Sequence, residues 1–154
     1  KNVVQFALLF GTTWLVNALV FGGVMLSVLL AVVISRRVVI KKLLIPYVLL
    51  GVAIVIGWLI PQSSLLSLGL PLRLLTACVL AFAPIFLANI IFAQRFRDTS
   101  DSANAFAANL IGAMVGGVLE YSSLLIGYRN LLIVALLLYI AAGFSGRRHL
   151  RPAI

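Results

Sequence analysis

Residues 14–35 form a run of 22 without a single charged side chain. Coiled as a helix rising about 1.5 Å per residue, that run reaches about 33 Å, and the hydrocarbon layer of a bilayer is about 30 Å thick. Similar apolar runs recur along the chain, separated by short charged or turn-forming stretches. A bilayer offers no water to satisfy backbone polar groups, so a crossing segment of this kind must be helical. The sequence therefore predicts an all-α fold: a polytopic transmembrane helical bundle of about five spans.

Composition removes the alternatives. Only 10% of the residues are charged and 64% are hydrophobic, whereas a soluble domain carries about 25% charged residues. Fifteen charged side chains cannot clothe the surface of a 154-residue soluble fold. Disorder requires the opposite bias, toward low hydrophobicity. The net charge of +9 does not point to nucleic acid, because the basic residues sit in short clusters between apolar runs rather than on one contiguous surface. Such clusters orient a chain in a bilayer and meet its anionic headgroups. The lipid bilayer is thus the first expected partner. Cys78 stands alone inside an apolar run and reads as a small buried hydrophobe.

The five expected spans cover residues 14–35, 43–60, 71–93, 104–126 and 130–145, within one helical membrane domain over residues 1–154. Gly11, Thr12 and Thr13 break the preceding apolar segment and cap the first span. Residues 3–10 are too few to cross and are expected to end an earlier helix or to lie at the interface. Pro46 falls in the first turn of its span, where a missing N–H costs little. Pro84 falls mid-span, where it predicts a kink. PQSSLLSLGLP, between spans two and three, is a Pro- and Gly-bounded turn region at the interface. GYRN, between spans four and five, is a tight turn that predicts antiparallel neighbours. The opening KNVVQF has neither an initiating Met nor a signal-peptide cleavage pattern, so the chain is expected to be a piece of a longer one.

Five crossings place Arg36, Arg37, Lys41, Lys42, Arg95, Arg97, Arg147, Arg148 and Arg151 on one side. Lys1, Arg73 and Arg129 fall on the other. That split satisfies the positive-inside rule with the C-terminus cytoplasmic and the N-terminus of this segment outside. The expected location is a bacterial inner (cytoplasmic) membrane.

Reactive chemistry is sparse. The single histidine, His149, lies in a basic tail beyond the last span. There is no GxSxG elbow, phosphate-cradling glycine loop or dinucleotide fingerprint. No pair of carboxylates sits within the spans. No catalytic, cofactor-binding or metal-binding residue is therefore expected, and no cofactor. The polar residues of the spans read as packing chemistry. Glu120 needs a partner at membrane depth, and Arg73 and Arg129 can reach it from the same side by snorkelling. Asn109, Gly112, Ala113, Gly116 and Glu120 recur at three- and four-residue spacing and so share a helix face. Gly112 and Gly116 form a small-xxx-small surface for close helix approach, while Asn17, Asn89 and Asn109 offer interhelical hydrogen bonds.

Three stretches carry a family resemblance: FALLFGTTWLVNALVFGGVMLSVLLA, PLRLLTACVLAFAPIFLANIIFAQRF and AFAANLIGAMVGGVLEYSSLLIGYRNLLIVALLLYIAA. Together, over residues 3–142, they resemble the C-terminal membrane part of bacterial spermidine-synthase-like multi-span proteins. TWLVNA at 13–18 and ANLIGAMVGGVLEY at 108–121 are the distinctive pieces. The resemblance implies an architecture in which transporter-like helices accompany a Rossmann-like aminopropyltransferase or methyltransferase-like domain. The nucleotide- and polyamine-binding motifs of that domain have no counterpart here, so no catalytic residue carries over. More helices are expected before Lys1.

The sequence thus predicts a non-catalytic integral membrane domain acting in anchoring and helix packing. It would serve as an auxiliary subunit of a larger membrane assembly, respiratory or photosynthetic, with other membrane subunits as partners. The alternative is a transporter-like bundle handling a small molecule or proton along Pro84, Glu120 and the span asparagines, or the membrane part of a spermidine-synthase-like enzyme.

Overall fold

The computed structural model describes residues 2–38, 40, 43–127 and 129–148, with the side chains of 62 and 146–148 set aside. Among the described residues the chain is all-α, with no strand. Eight helices follow in order: α1 Asn2–Phe10, α2 Trp14–Arg37, α3 Leu44–Leu59, α4 Gln62–Leu66, α5 Leu70–Arg97, α6 Ser102–Tyr121, α7 Ser123–Ile126 and α8 Leu131–Arg148. Each of the five expected spans appears as a helix, the fourth as α6 continued by α7. Lys1, Lys41, Lys42, His149 and Arg151 lie outside the described residues.

Three segments are long and apolar enough to cross a membrane: α2, α5 and the α6–α7 stretch Ser102–Ile126. The other two are shorter apolar helices, α3 and residues Leu131–Ser145 of α8. The 16 residues of α3 reach about 24 Å, less than the hydrocarbon thickness.

Helix boundaries follow local chemistry. Gly11 adopts φ +88°, a conformation that suits glycine, and it ends α1. The Thr13 side chain then accepts a hydrogen bond from the Val16 amide at 3.3 Å, capping α2. Asp101 caps α6 by accepting from the Asn104 amide at 3.0 Å. α5 runs through Pro84 as one helix. The turn region between α3 and α5 forms the short helix α4, whose Leu65 is buried.

Packing joins α2 to α5, α5 to α3 and α3 to α8, with α1 and α4 bracing one end. The first core gathers Phe6, Leu9, Val16, Val20, Leu65, Ala77 and Ala81. The second gathers Leu50, Ile54 and Ile91, with Tyr47, Leu132, Leu136 and Tyr139 against them. Residues 3–10 are therefore a structural bracket: Phe6 is wholly buried and stacks on Phe82 with ring centroids 5.8 Å apart.

The antiparallel neighbour expected from the GYRN turn is not α6. Gly127, at φ +81°, turns the chain sharply, yet α8 packs on α3 instead. No residue of α6 or α7 is buried. Elsewhere the surface is also apolar, with Trp14 80% and Leu70 68% exposed, a covering suited to hydrocarbon rather than water.

Candidate functional site

The residues expected to form polar glue are dispersed rather than convergent. Asn17 is exposed on the first turn of α2, and Asn109 is exposed on α6. Asn89 is half-buried on α5, but its Nδ2 donates to the Ile85 carbonyl of its own helix at 2.8 Å. A carbonyl one turn back is always within reach of an amide side chain, and no neighbouring helix has to be positioned to meet it. The interhelical bond expected of Asn89 is thereby replaced by a local one.

Arg73 and Arg129 act as staples through backbone carbonyls. Arg73 Nη2 donates to the carbonyls of Leu66 and Leu68 at 2.9 and 3.1 Å, and Nη1 to that of Leu9 at 3.5 Å. One guanidinium thus ties the ends of α1 and α4 to the first turn of α5. Arg129 Nε donates to the Trp58 carbonyl at 2.8 Å, and its guanidinium lies 5.2 Å from the centre of the Trp58 ring. That contact clamps the start of α8 to the end of α3. Carbonyls at helix ends lack intrahelical partners, so cations placed there find acceptors without a carboxylate. Glu120 is exposed in the last turn of α6.

Gly112 and Gly116 have open space around them: a methyl group at either would meet nothing within 4 Å. The close approach expected of that face within this chain is therefore absent. It occurs instead at Gly23 of α2, where an added methyl group would overlap the Phe82 ring of α5. Gly23 was readable as part of the FGGVM stretch, but the partner ring lies 59 residues away in sequence and nothing local announces it.

The polar link between α2 and α5 is Gln94, which lies one residue beyond the expected limit of its span. It is 2% exposed. Its Nε2 donates to the Val38 carbonyl at the end of α2 at 2.7 Å, and its Oε1 accepts from Arg97 Nη2 at 3.1 Å. Both halves of the amide are engaged, as burial requires. Arg36 and Arg37 are exposed beside this junction, and Arg95 is half-buried. Among the described residues the ion pair is Arg97–Asp98 at 3.9 Å. Among the described residues, three buried polar atoms have no hydrogen-bond partner: Ser35 Oγ, Trp58 Nε1 and Arg73 Nε. Among the described residues no group of His, Cys, Asp or Glu is arranged to hold a metal ion.

The molecule therefore has a basic end, where Gln94 joins α2 and α5, and an opposite end stapled by Arg73 and Arg129. Comparison of the chain with protein-family models, curated proteins and solved structures gives no match.

Proposed function

We propose that this chain is a non-catalytic membrane domain that anchors in a bacterial cytoplasmic membrane and docks, through α6, a helix of another membrane subunit. The observation that carries the reading is the contrast within α6. Continued by α7, the helix is long and apolar enough to cross a membrane, yet neither buries a residue against its own chain. Its Asn109, Gly112, Ala113 and Gly116 share a face shaped for close backbone approach. The internal precedent is Gly23, which receives the Phe82 ring. The partner helix accordingly presents a bulky apolar or aromatic side chain toward Gly112 and Gly116.

In hydrocarbon the apolar effect does not drive helices together, so close contact and a few hydrogen bonds must do so. That makes a bare glycine face a natural interface. The positive-inside bias supports a cytoplasmic position for the basic end. The reading rests on these helices and not on the resemblance to spermidine-synthase-like proteins.

Size in mild detergent tests it. The native chain should run in an assembly larger than its monomer, and Gly116→Leu should release the monomer without changing its melting. A native chain that runs alone removes the docking proposal. Orientation is checked separately: cysteine replacing exposed Ser64 should react with an impermeant thiol reagent in intact cells, and cysteine replacing Ser102 should not. A variant Glu120→Gln that assembles normally but abolishes flux of a small molecule would favour the transport alternative.

A further inference from the structure

The geometry points to a specific anionic phospholipid site at the α2–α5 junction of the basic end, with the lipid phosphate held by Arg36, Arg37, Arg95 and Arg97. The proposal rests on the reading of α2 and α5 as membrane-crossing helices. Within that reading, Gln94 fixes the end of α2 beside the end of α5 by its bond to the Val38 carbonyl. All four arginines lie within three residues of that bond. The same amide holds Arg97 in place through its oxygen, so the cluster is built on a buried, fully engaged side chain.

Among the described residues the charges of this cluster are poorly answered. Asp98 stands 3.9 Å from Arg97. Asp101, the next carboxylate, accepts from the Asn104 amide and side chain. Like charges held together at the edge of a low-dielectric layer repel, and a phosphate relieves that repulsion while using the forked donors of the guanidinium. Basic pockets between membrane helices on the cytoplasmic side bind anionic headgroups by this chemistry. The surface just below the arginines is apolar and open, with Val33 and Ile34 on α2 and Phe92 on α5 all exposed. A phosphate above and hydrocarbon beneath describe a phospholipid rather than a free ion.

The test reconstitutes the full chain in nanodiscs of phosphatidylcholine, with and without phosphatidylglycerol, and reads the lipid retained by native mass spectrometry. Phosphatidylglycerol should be retained preferentially, and Arg36→Gln and Arg95→Gln should each weaken it about fivefold, the size of one surface charge. Arg129→Gln, at the opposite end, should leave retention unchanged. Gln94→Leu preserves every charge and should nevertheless erase the preference, since the arginines are no longer held together. Equal retention of both lipids overturns the site, as does an Arg129→Gln loss equal to that of Arg36→Gln. Retention undiminished in Gln94→Leu shows only diffuse attraction and also overturns it. Displacement by inorganic phosphate would mean a free-phosphate site and refute the lipid. Extraction of the chain by alkaline carbonate would reject the membrane reading, and this proposal with it, whereas a chain that resists extraction yet lacks lipid preference rejects the site alone.

Discussion

Helices α2 and α6 carry the same small and polar vocabulary and end in opposite situations. α2 has Asn17, Gly22 and Gly23; α6 has Asn109, Gly112 and Gly116. α2 lies along α5 and receives the Phe82 ring at Gly23. α6 buries none of its residues, and both of its stripe glycines face open space. The difference teaches that a glycine face permits close approach without causing it. The cause is a bulky side chain at matching height on a neighbour, as the Phe82 ring of α5 is for Gly23 and the Tyr47 ring of α3 is for Gly143 of α8; among the described residues nothing of the kind stands against Gly112 or Gly116.

Substitutions along the two helices should separate these situations. The largest effect is expected at Gly23, where Gly23→Leu drives a side chain into Phe82 and should lower stability by about 3 kcal/mol, the upper part of the overpacking range. Thermal melting in detergent reads it, and adding Phe82→Ala should restore part of the loss. Additive losses in the double variant would show that the ring is not the obstacle.

Next comes Gln94→Leu, which removes the bond between α2 and α5 and leaves the Val38 carbonyl without its partner. A buried polar group stripped in this way costs about 1–3 kcal/mol. A melting temperature equal to that of the native chain would mean that the amide does not hold the two helices together.

Arg129→Gln should cost less, about 0.5–1 kcal/mol, the usual worth of an exposed cation–π contact. Tryptophan fluorescence should report the change around Trp58, while the emission of exposed Trp14 should stay constant in the corresponding Trp58→Phe background. Unaltered Trp58 emission in Arg129→Gln would argue against the clamp.

The smallest effect on the chain itself is expected at Gly116. With nothing within 4 Å of its added methyl, Gly116→Leu should shift stability by less than about 0.5 kcal/mol, as exposed substitutions do. Its consequence should appear only in assembly size. A melting loss matching that of Gly23→Leu would place α6 inside the bundle and erase the contrast between the two helices.

Much of the fold was legible because long apolar helices announce themselves locally. Apolar runs of sufficient length, the Thr13 cap, the Gly11 break and the Gly127 turn each depend on a few adjacent residues. The polar site was less legible. Asn89 and Gln94 are amides on the same helix five residues apart, yet one bonds its own backbone and the other bridges to α2. Their difference is the orientation of a helix face toward a neighbour, which no local pattern encodes. Arg73 and Arg129 bond backbone carbonyls, and every residue carries a carbonyl, so no local pattern singles out their acceptors.

Sequence alone determined that this chain is helical and, to within a few residues, where most of its long helices start and stop, though not the short helix α4 or the end of α5. Local hydropathy, capping and turn chemistry act within one or two turns, and an apolar environment forces each backbone to satisfy itself. The tertiary structure decided which helices meet: α2 with α5, α3 with α5 and α8, and α6 with no core. The physical reason is that in an apolar chain nearly every helix face is equally hydrophobic. Burial therefore cannot choose a partner by pattern, and the choice falls to shape, as where Phe82 meets Gly23, and to single polar contacts, as where Gln94 meets Val38.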